Sequence, residues 1–283
     1  MPGVYTFCFL RNLHKINHSH ALVSRLDLNF SVSFKGNIWN IVALPAKKLL
    51  LFEERDEYKR QVRFSAWQYE QKQFLWNDMT FDESWWVGLL AANGPAMLVQ
   101  EYDDSGKPGH KKLWAIEIET QKIMWSREYF SVTALQERVI TGFSGSDDPE
   151  VVFLDLLTGK QIEAPQNKAV ASEELPLRPL QYLEGTPYFG TVYDFLMKQS
   201  GVKATGAFEY LEYNKMIFIS YNIQEANGLA NYLLVVDEEG NTKLLEKLDE
   251  ALKGLGVDTF FILSGCLFFV RNKRELLSYQ IIV

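Results

Sequence analysis

From Lys111 to Trp125 the chain alternates apolar and polar positions into a four-residue polar turn, then runs out through apolar residues to a tryptophan. That is the pattern of two antiparallel strands joined by a tight turn. Weaker copies recur on both sides. Ile38 to Leu44, Lys48 to Phe52, Val62 to Tyr69 and Phe74 to Trp76 predict four strands with short connections. Trp86 to Leu90 and Met97 to Tyr102, followed by the hairpin at 111–125, predict four more. Trp76 and Trp125 fall at matching places 49 residues apart, as do Trp67 with Ile116 and Gln71 with Thr120. A register shared over four strands marks a repeated unit.

Val132 to Phe143 and Val151 to Lys160 predict a third unit, and Phe208 to Tyr213, Met216 to Tyr221 and Tyr232 to Asp237 a fourth. Thr259 to Leu263, Cys266 to Val270 and Leu276 to Val283 predict a fifth unit that stops one strand short. The alternation at Leu22 to Phe30 has no partner before it. It is expected to complete the fifth unit, which removes two exposed sheet edges. Two stretches break the pattern. Residues 164–207 contain Pro165, Pro176, Pro179 and Pro187 and a helix signature: Thr186 as N-cap, Phe189, Val192 and Leu196 on one face, and Gly201 past the end. This stretch reads as a helical insertion. Thr242 to Lys253 is expected to be strand to about Glu246 and then a helical turn ending at Gly254, because Leu244, Leu245, Leu248 and Leu252 fit helical spacing.

The expected architecture is a single all-β domain over 21–283, preceded by an extension at 1–20. It is a β-propeller of five four-stranded blades, with the insertion on one face and the N-terminal strand closing the ring. Six blades are the alternative, since Thr158 and Gly240 lie 82 residues apart, about twice a ~40-residue blade. Leu154-Asp155-Leu156-Leu157-Thr158-Gly159-Lys160, with Glu119-Thr120-Gln121-Lys122 before it, resembles the Asp-x-x-Thr-Gly-Lys turn of pyrroloquinoline-quinone-type propeller repeats. The resemblance implies a blade hairpin and no quinone cofactor. The chain as a whole resembles an uncharacterised bacteroidete family of propeller-like proteins, which implies no activity.

Composition narrows the partners. A formal charge of -7 and a pI near 5.3 disfavour nucleic acid and anionic membranes, which require clustered Lys and Arg. No run approaches the ~18 apolar residues of a membrane span. The Val4 to Leu10 run has no basic residue before it and no small-residue cleavage site after it, so a cytoplasmic monomer is expected. Cys8 and Cys266 sit in apolar runs and read as buried thiols. His14, His18 and His20 have no carboxylate or thiolate nearby to complete a metal site and read as part of a polar arm.

Acidic residues are expected in the loops between second and third strands: Glu53, Glu54 and Asp56; Asp103 and Asp104; Asp147 and Asp148; and Glu225. Loops on a rigid scaffold are the usual place for binding. Asp103, Asp104, Asp147, Asp148, Glu54 and Asp56 are therefore candidate ligand or partner contacts. Trp85, next to Trp86 at a junction between units, is a candidate stacking surface. Signatures of nucleophilic, phosphate-binding and zinc-dependent enzymes are absent from the sequence. The expected function is non-catalytic binding or scaffolding of a protein, peptide or saccharide, without cofactor or metal. The alternative is a carboxylate-dependent hydrolase or lyase acting on a saccharide in the central channel.

Overall fold

The computed structural model describes residues 25–103, 110–145, 150–165 and 175–282. Cys8, His14, His18, His20, Asp104, Asp147 and Asp148 lie outside the described residues. The chain is all-β with a single α-helix among the described residues. Among the described residues the strands form five sheets that follow one another along the sequence and divide between two compact units, one covering Ser33–Pro176 and the other Met1–Val32 with Leu177–Val283.

N-terminal strand β1 (Arg25–Ser33) is followed by the first sheet, an antiparallel meander of β2 (Asn37–Leu44), β3 (Leu49–Asp56), β4 (Gln61–Gln68) and β5 (Gln73–Met79). The second sheet repeats it with β6 (Val87–Asn93), β7 (Ala96–Tyr102), β8 (His110–Glu117) and β9 (Ile123–Glu128). A third sheet follows with β10 (Phe130–Gln136), β11 (Val139–Ser144), β12 (Glu150–Asp155) and the two-residue β13 (Gln161–Ile162). These are the three units expected from the pattern.

Within the Ser33–Pro176 unit the sheets stack by sharing cores. Leu51, Phe64 and Trp76 of the first sheet pack with Val99, Trp114 and Ile116 of the second. The second sheet's opposite face supplies Leu98, Leu113 and Ala115 to a core with Phe130, Ile140 and Leu154 of the third. Strand β7 is thus buried on both faces, Met97 and Val99 to one side and Ala96 and Leu98 to the other. That explains its continuous apolar run.

The matched tryptophans are the links between sheets. Trp76 pairs with Ala66, and Trp125 with Ala115. The Trp76 indole N–H donates to the Ile118 carbonyl of the second sheet at 2.6 Å, and the Trp125 N–H to the Leu156 carbonyl of the third at 2.8 Å. Both acceptors sit where a third strand enters its turn. The two turns share their bonding: Glu117 N–H donates to Lys122 O and Asp155 N–H to Lys160 O, each at 2.9 Å. Gln121 and Gly159 both take positive φ, 59° and 65°. Glycine is required only at the second, where a β-carbon would come within 2.5 Å of the Trp125 ring.

The other unit contains the fourth sheet, β14 (Leu180–Leu183), β15 (Ala204–Tyr213), β16 (Met216–Glu225), β17 (Gly228–Asp237) and β18 (Thr242–Leu252). Its fifth sheet is β19 (Phe260–Leu263), β20 (Cys266–Arg271) and β21 (Glu275–Ile282), with β1 paired beside β21. The unpartnered N-terminal strand therefore fills the missing place, although its described part begins at Arg25 rather than Leu22. Phe30 packs edge-on against Phe268 with ring centroids 6.1 Å apart, and Ser31 donates to Glu275 at 2.5 Å. Phe218, Val235 and Leu248 share a core with Phe260, Leu267 and Phe269.

Helix α1 (Pro187–Ser200) forms as the sequence predicts. The Thr186 side chain accepts from Phe189 N, and Gly201 takes the left-handed conformation and closes on Met197 O. Phe189, Val192 and Leu196 cover the face of the fourth sheet that carries Phe208 and Ile219. Two expectations are corrected. The 164–207 stretch is not wholly outside the sheets: Leu180–Leu183 pairs with β15 and makes the fourth sheet five-stranded. Just before it, Leu177 exchanges two backbone hydrogen bonds with Ile262 of β19, so one short segment runs along the edges of both sheets in this unit. Thr242 to Leu252 is strand throughout, with three register shifts against β17. Leu244, Leu248 and Leu252 are spaced by four, an interval that keeps one face in a strand as well as in a helix.

Gly159→Ala should destabilise the protein by about 2–4 kcal/mol, combining the left-handed penalty with the collision against Trp125. Gly94→Ala, also at positive φ but with nothing within 4 Å of the added carbon, should cost only about 1 kcal/mol. Urea unfolding of both variants measures the difference.

Candidate functional site

The strongest polar constellation of the Ser33–Pro176 unit gathers where β3 ends and β6 begins. Expected in a loop, Glu53, Glu54 and Asp56 instead continue β3, and Glu53 and Glu54 are only 2% and 3% exposed. The strand can extend this far because each carboxylate finds donors. Glu54 accepts from Ser65 Oγ at 2.7 Å and from Gly36 N at 3.3 Å. Asp56 accepts from Lys59 N at 3.0 Å, which tightens the turn at 57–60. Glu54 is a structural acid of the first sheet, and Asp56 is half-buried.

Glu53 and Arg55 share the face of β3 that meets the second sheet. Glu53 accepts from Arg55 Nε and from the Leu89 backbone N–H, both at 2.7 Å. Arg55 donates onward to the carbonyls of Val87 at 3.0 Å and Trp85 at 3.3 Å. Gly88 leaves the room: a β-carbon there would lie 3.2 Å from Glu53 Oε2 and 3.7 Å from Arg55 Nη2. Burial pushes the Glu53 carboxyl above its ordinary value, against the pull of Arg55 and the Leu89 N–H. Burial, with Glu53 beside it, also raises the Tyr102 hydroxyl.

The Arg55 guanidinium lies over two indoles. Its central carbon is 5.2 Å from the ring centroid of Trp39 and 5.2 Å from that of Trp85, and Arg60 lies over the Trp85 ring at 5.6 Å. The result is a cation–π cluster of Trp39, Arg55, Trp85 and Arg60. Trp39 reaches it from a β-bulge, because Ile38 pairs with Glu54 and Asn40 with Glu53, leaving Trp39 as the extra residue. Bulges re-aim side chains in this way. Trp39 is 66% exposed. Trp85 is half-buried against the core of the first two sheets, whereas Trp86 is exposed. Glu83 fixes both by accepting from their backbone N–H groups at 2.8 and 2.9 Å.

Of the residues singled out from the sequence, the structure places Trp85 and Asp56 at this end of the unit. Asp103 is exposed one residue beyond β7, whose Tyr102 N–H donates to the Trp86 carbonyl at 2.8 Å. Glu225 belongs to the other unit, at the end of β16, where Lys247 bridges it to Glu250. Trp39, Arg55 and Arg60 escaped the sequence reading. The adjacent Trp85-Trp86 drew notice, but nothing in an apolar run announces which residue bulges.

A buried carboxylate also organises part of the other unit. Glu209, 3% exposed, accepts from the N–H groups of Asp258 and Thr259 at 2.5 and 3.0 Å and from Thr259 Oγ1 at 2.5 Å. Thr259 Oγ1 reaches Ser220, which bonds with Asn231. Burial raises the Glu209 carboxyl, against these hydrogen bonds. Among the described residues no three His, Cys, Asp or Glu are placed to hold a metal ion, and no helix is long and apolar enough to cross a membrane.

Residues 44–125 match the family model of a domain of unknown function, DUF4905. No curated protein matches the chain. Solved structures similar to it include BamB from Moraxella catarrhalis, at 8% identity over 85% of this chain and 84% of that one, with a TM-score of 0.34. The β-propeller domain of the Trilobed protease from Pyrococcus furiosus gives 11% identity over 86% and 79%, with a TM-score of 0.34. The N-terminal domain of Nup159 gives 10% over 95% and 98%, again at 0.34. At these scores the likenesses inform neither function nor site.

Glu209 yields a pH test. Its folded pKa is raised, so the stability it contributes is fully present below the unfolded value of about 4.3 and is lost as pH rises through the folded value. Wild type should therefore lose stability relative to Glu209→Gln as pH rises above the unfolded value of about 4.3. Urea unfolding at several pH values checks this, and a stability difference independent of pH would contradict it.

Proposed function

We propose that this chain is a non-catalytic binding module that engages its ligand at the end of the first two sheets, with Trp39 as the contact. The observation that carries this reading is a large, solvent-exposed indole packed on a half-buried arginine that hydrogen-bonds through all three of its nitrogens. Stability alone gives no reason to expose a tryptophan on a bulge. Preorganised aromatic anchors, by contrast, lower the entropy lost on binding. The nearby Glu53 and Glu54 are buried and occupied by internal donors, which fits binding better than acid-base chemistry on a bound substrate. Asp103 is a further proposed contact at this end.

We also infer that the five sheets are the blades of one β-propeller. Support comes from the consecutive meanders, the stacking within each unit and the completion of the fifth sheet by β1. Deleting residues 1–30 should abolish cooperative melting or cause aggregation, by exposing the edge of β21. Deleting 1–16 should leave the melting temperature unchanged.

The binding reading is tested by screening small saccharides, peptides and metabolites for compounds that raise the melting temperature, since a ligand that prefers the folded state stabilises it. Stabilisation should vanish in Trp39→Ala, and the compound should be recovered unchanged after prolonged incubation. Stabilisation that survives Trp39→Ala, or a compound that is consumed, would overturn the reading.

A further inference from the structure

We propose that the third sheet binds an extended peptide segment of a partner protein, an apolar residue followed by a basic one, which adds as a strand beside residues 150–152. The opening is visible in the register. In the second sheet the outer strand β9 pairs with β8 from Lys112 to Ile116. In the third, β13 pairs with β12 only at Phe153 and Leu154, and the exposed residues 163–165 do not continue the pairing. Among the described residues no strand runs beside 150–152 on that side. Backbone direction follows from the bonds at the far end of β12. The Asp155 N–H donates outward to Lys160 O, and the Leu156 N–H inward to Arg138 O. Strand alternation then turns the Val151 N–H and C=O outward, toward the unfilled place. An edge of this kind is a template for a further strand.

Side chains along the opening select the occupant. On the face turned away from the second sheet, Phe143 pairs with Val151, and both are exposed, at 39% and 56%. A strand residue directly opposite Val151 lays its side chain on this pair, so an apolar residue fits there. In an antiparallel strand the residue that follows it stands opposite Glu150. Glu150 is exposed and has no ion pair among the described residues, and Glu163, one residue beyond β13, is a second exposed acid without one. Opposite charges across a strand pair attract, so a Lys or Arg fits at that place, whereas an acidic segment is repelled. A second copy of this chain supplies no such cation. In a symmetric antiparallel pairing through Val151, each Glu150 would stand opposite the other copy's Val152, which is apolar.

The probes are capped octapeptides, Ser-Thr-Thr-X-Lys-Thr-Thr-Ser with X as Val, Ile or Phe, each also made with Glu in place of Lys and with a methyl group on the amide nitrogen of X. Binding to the full chain is followed by calorimetry and by the backbone amide resonances. At least one Lys peptide should bind, shift the Val151 amide and slow its hydrogen exchange. Methylation at X should weaken binding about tenfold or more, because it removes the N–H that faces the Val151 carbonyl. Glu150→Lys should weaken the Lys peptide about tenfold and favour the Glu peptide instead, at an unchanged melting temperature. If Glu150→Lys fails to fold, the comparison of Lys and Glu peptides on wild type decides. No binding by any Lys peptide, binding indifferent to methylation, or equal binding of Lys and Glu peptides would overturn the proposal. So would a Val151 amide already protected from exchange in the free protein, which would put a segment of this chain in the opening. Concentration-dependent dimerisation that protects the same amide would put a second copy there and overturn it too.

Discussion

The Glu53–Arg55 pair is the constraint on which the rest of the Ser33–Pro176 unit depends. It is built on one strand of the first sheet and spends its hydrogen bonds on the second, taking the Leu89 N–H and serving the Trp85 and Val87 carbonyls. Buried ion pairs contribute little net stability over an apolar replacement, but losing one partner is costly because the other remains buried and uncompensated. The pair thus specifies position more than it stabilises. It fixes how β6 enters beside β3, and so where the Trp85-Trp86 segment emerges. Arg55, held by Glu53, Val87 and Trp85, also lies over the rings of Trp39 and Trp85, so the exposed indole packs on a cation fixed at the junction of two sheets.

The same problem, a sheet whose two faces both need cover, is met differently along the chain. Between the first three sheets, apolar side chains fill the interfaces, and an indole N–H from each fourth strand reaches a turn carbonyl of the next sheet. In the other unit, Glu209 bonds the backbone at the entry to β19. Helix α1 covers the opposite face of the fourth sheet there. Buried backbone N–H and C=O groups must find partners, and each device supplies them where sheet meets sheet or helix.

Much of this was legible in the sequence, and the exceptions have physical causes. Alternation, turn residues and the Trp76–Trp125 interval located the meanders, because strand period and turn chemistry are local properties. The α1 boundaries were readable because Thr186 and Gly201 have local capping roles. Strand β14 was hidden: four residues between proline-rich flanks and a helix carry too little periodicity to separate strand from loop. In β18, leucines four apart satisfy strand and helix alike. The acids of β3 were misplaced because charge suggests solvent, and only the three-dimensional partners Ser65, Gly36, Arg55 and Leu89 reveal why Glu53 and Glu54 are buried. The cation–π cluster was least visible, since it joins residues 39, 55, 60 and 85 through a bulge that no local pattern signals.

The central claim is that Arg55, anchored across two sheets, holds Trp39 as a preformed platform. The most direct measurement is the order parameter of the Trp39 indole N–H by 15N relaxation, in wild type and in Arg55→Met. The account predicts a wild-type value close to that of rigid backbone, about 0.85, falling below about 0.6 in the variant, while the Trp125 indole stays rigid in both. A Trp39 indole already mobile in wild type, or equally rigid without the guanidinium, would contradict it.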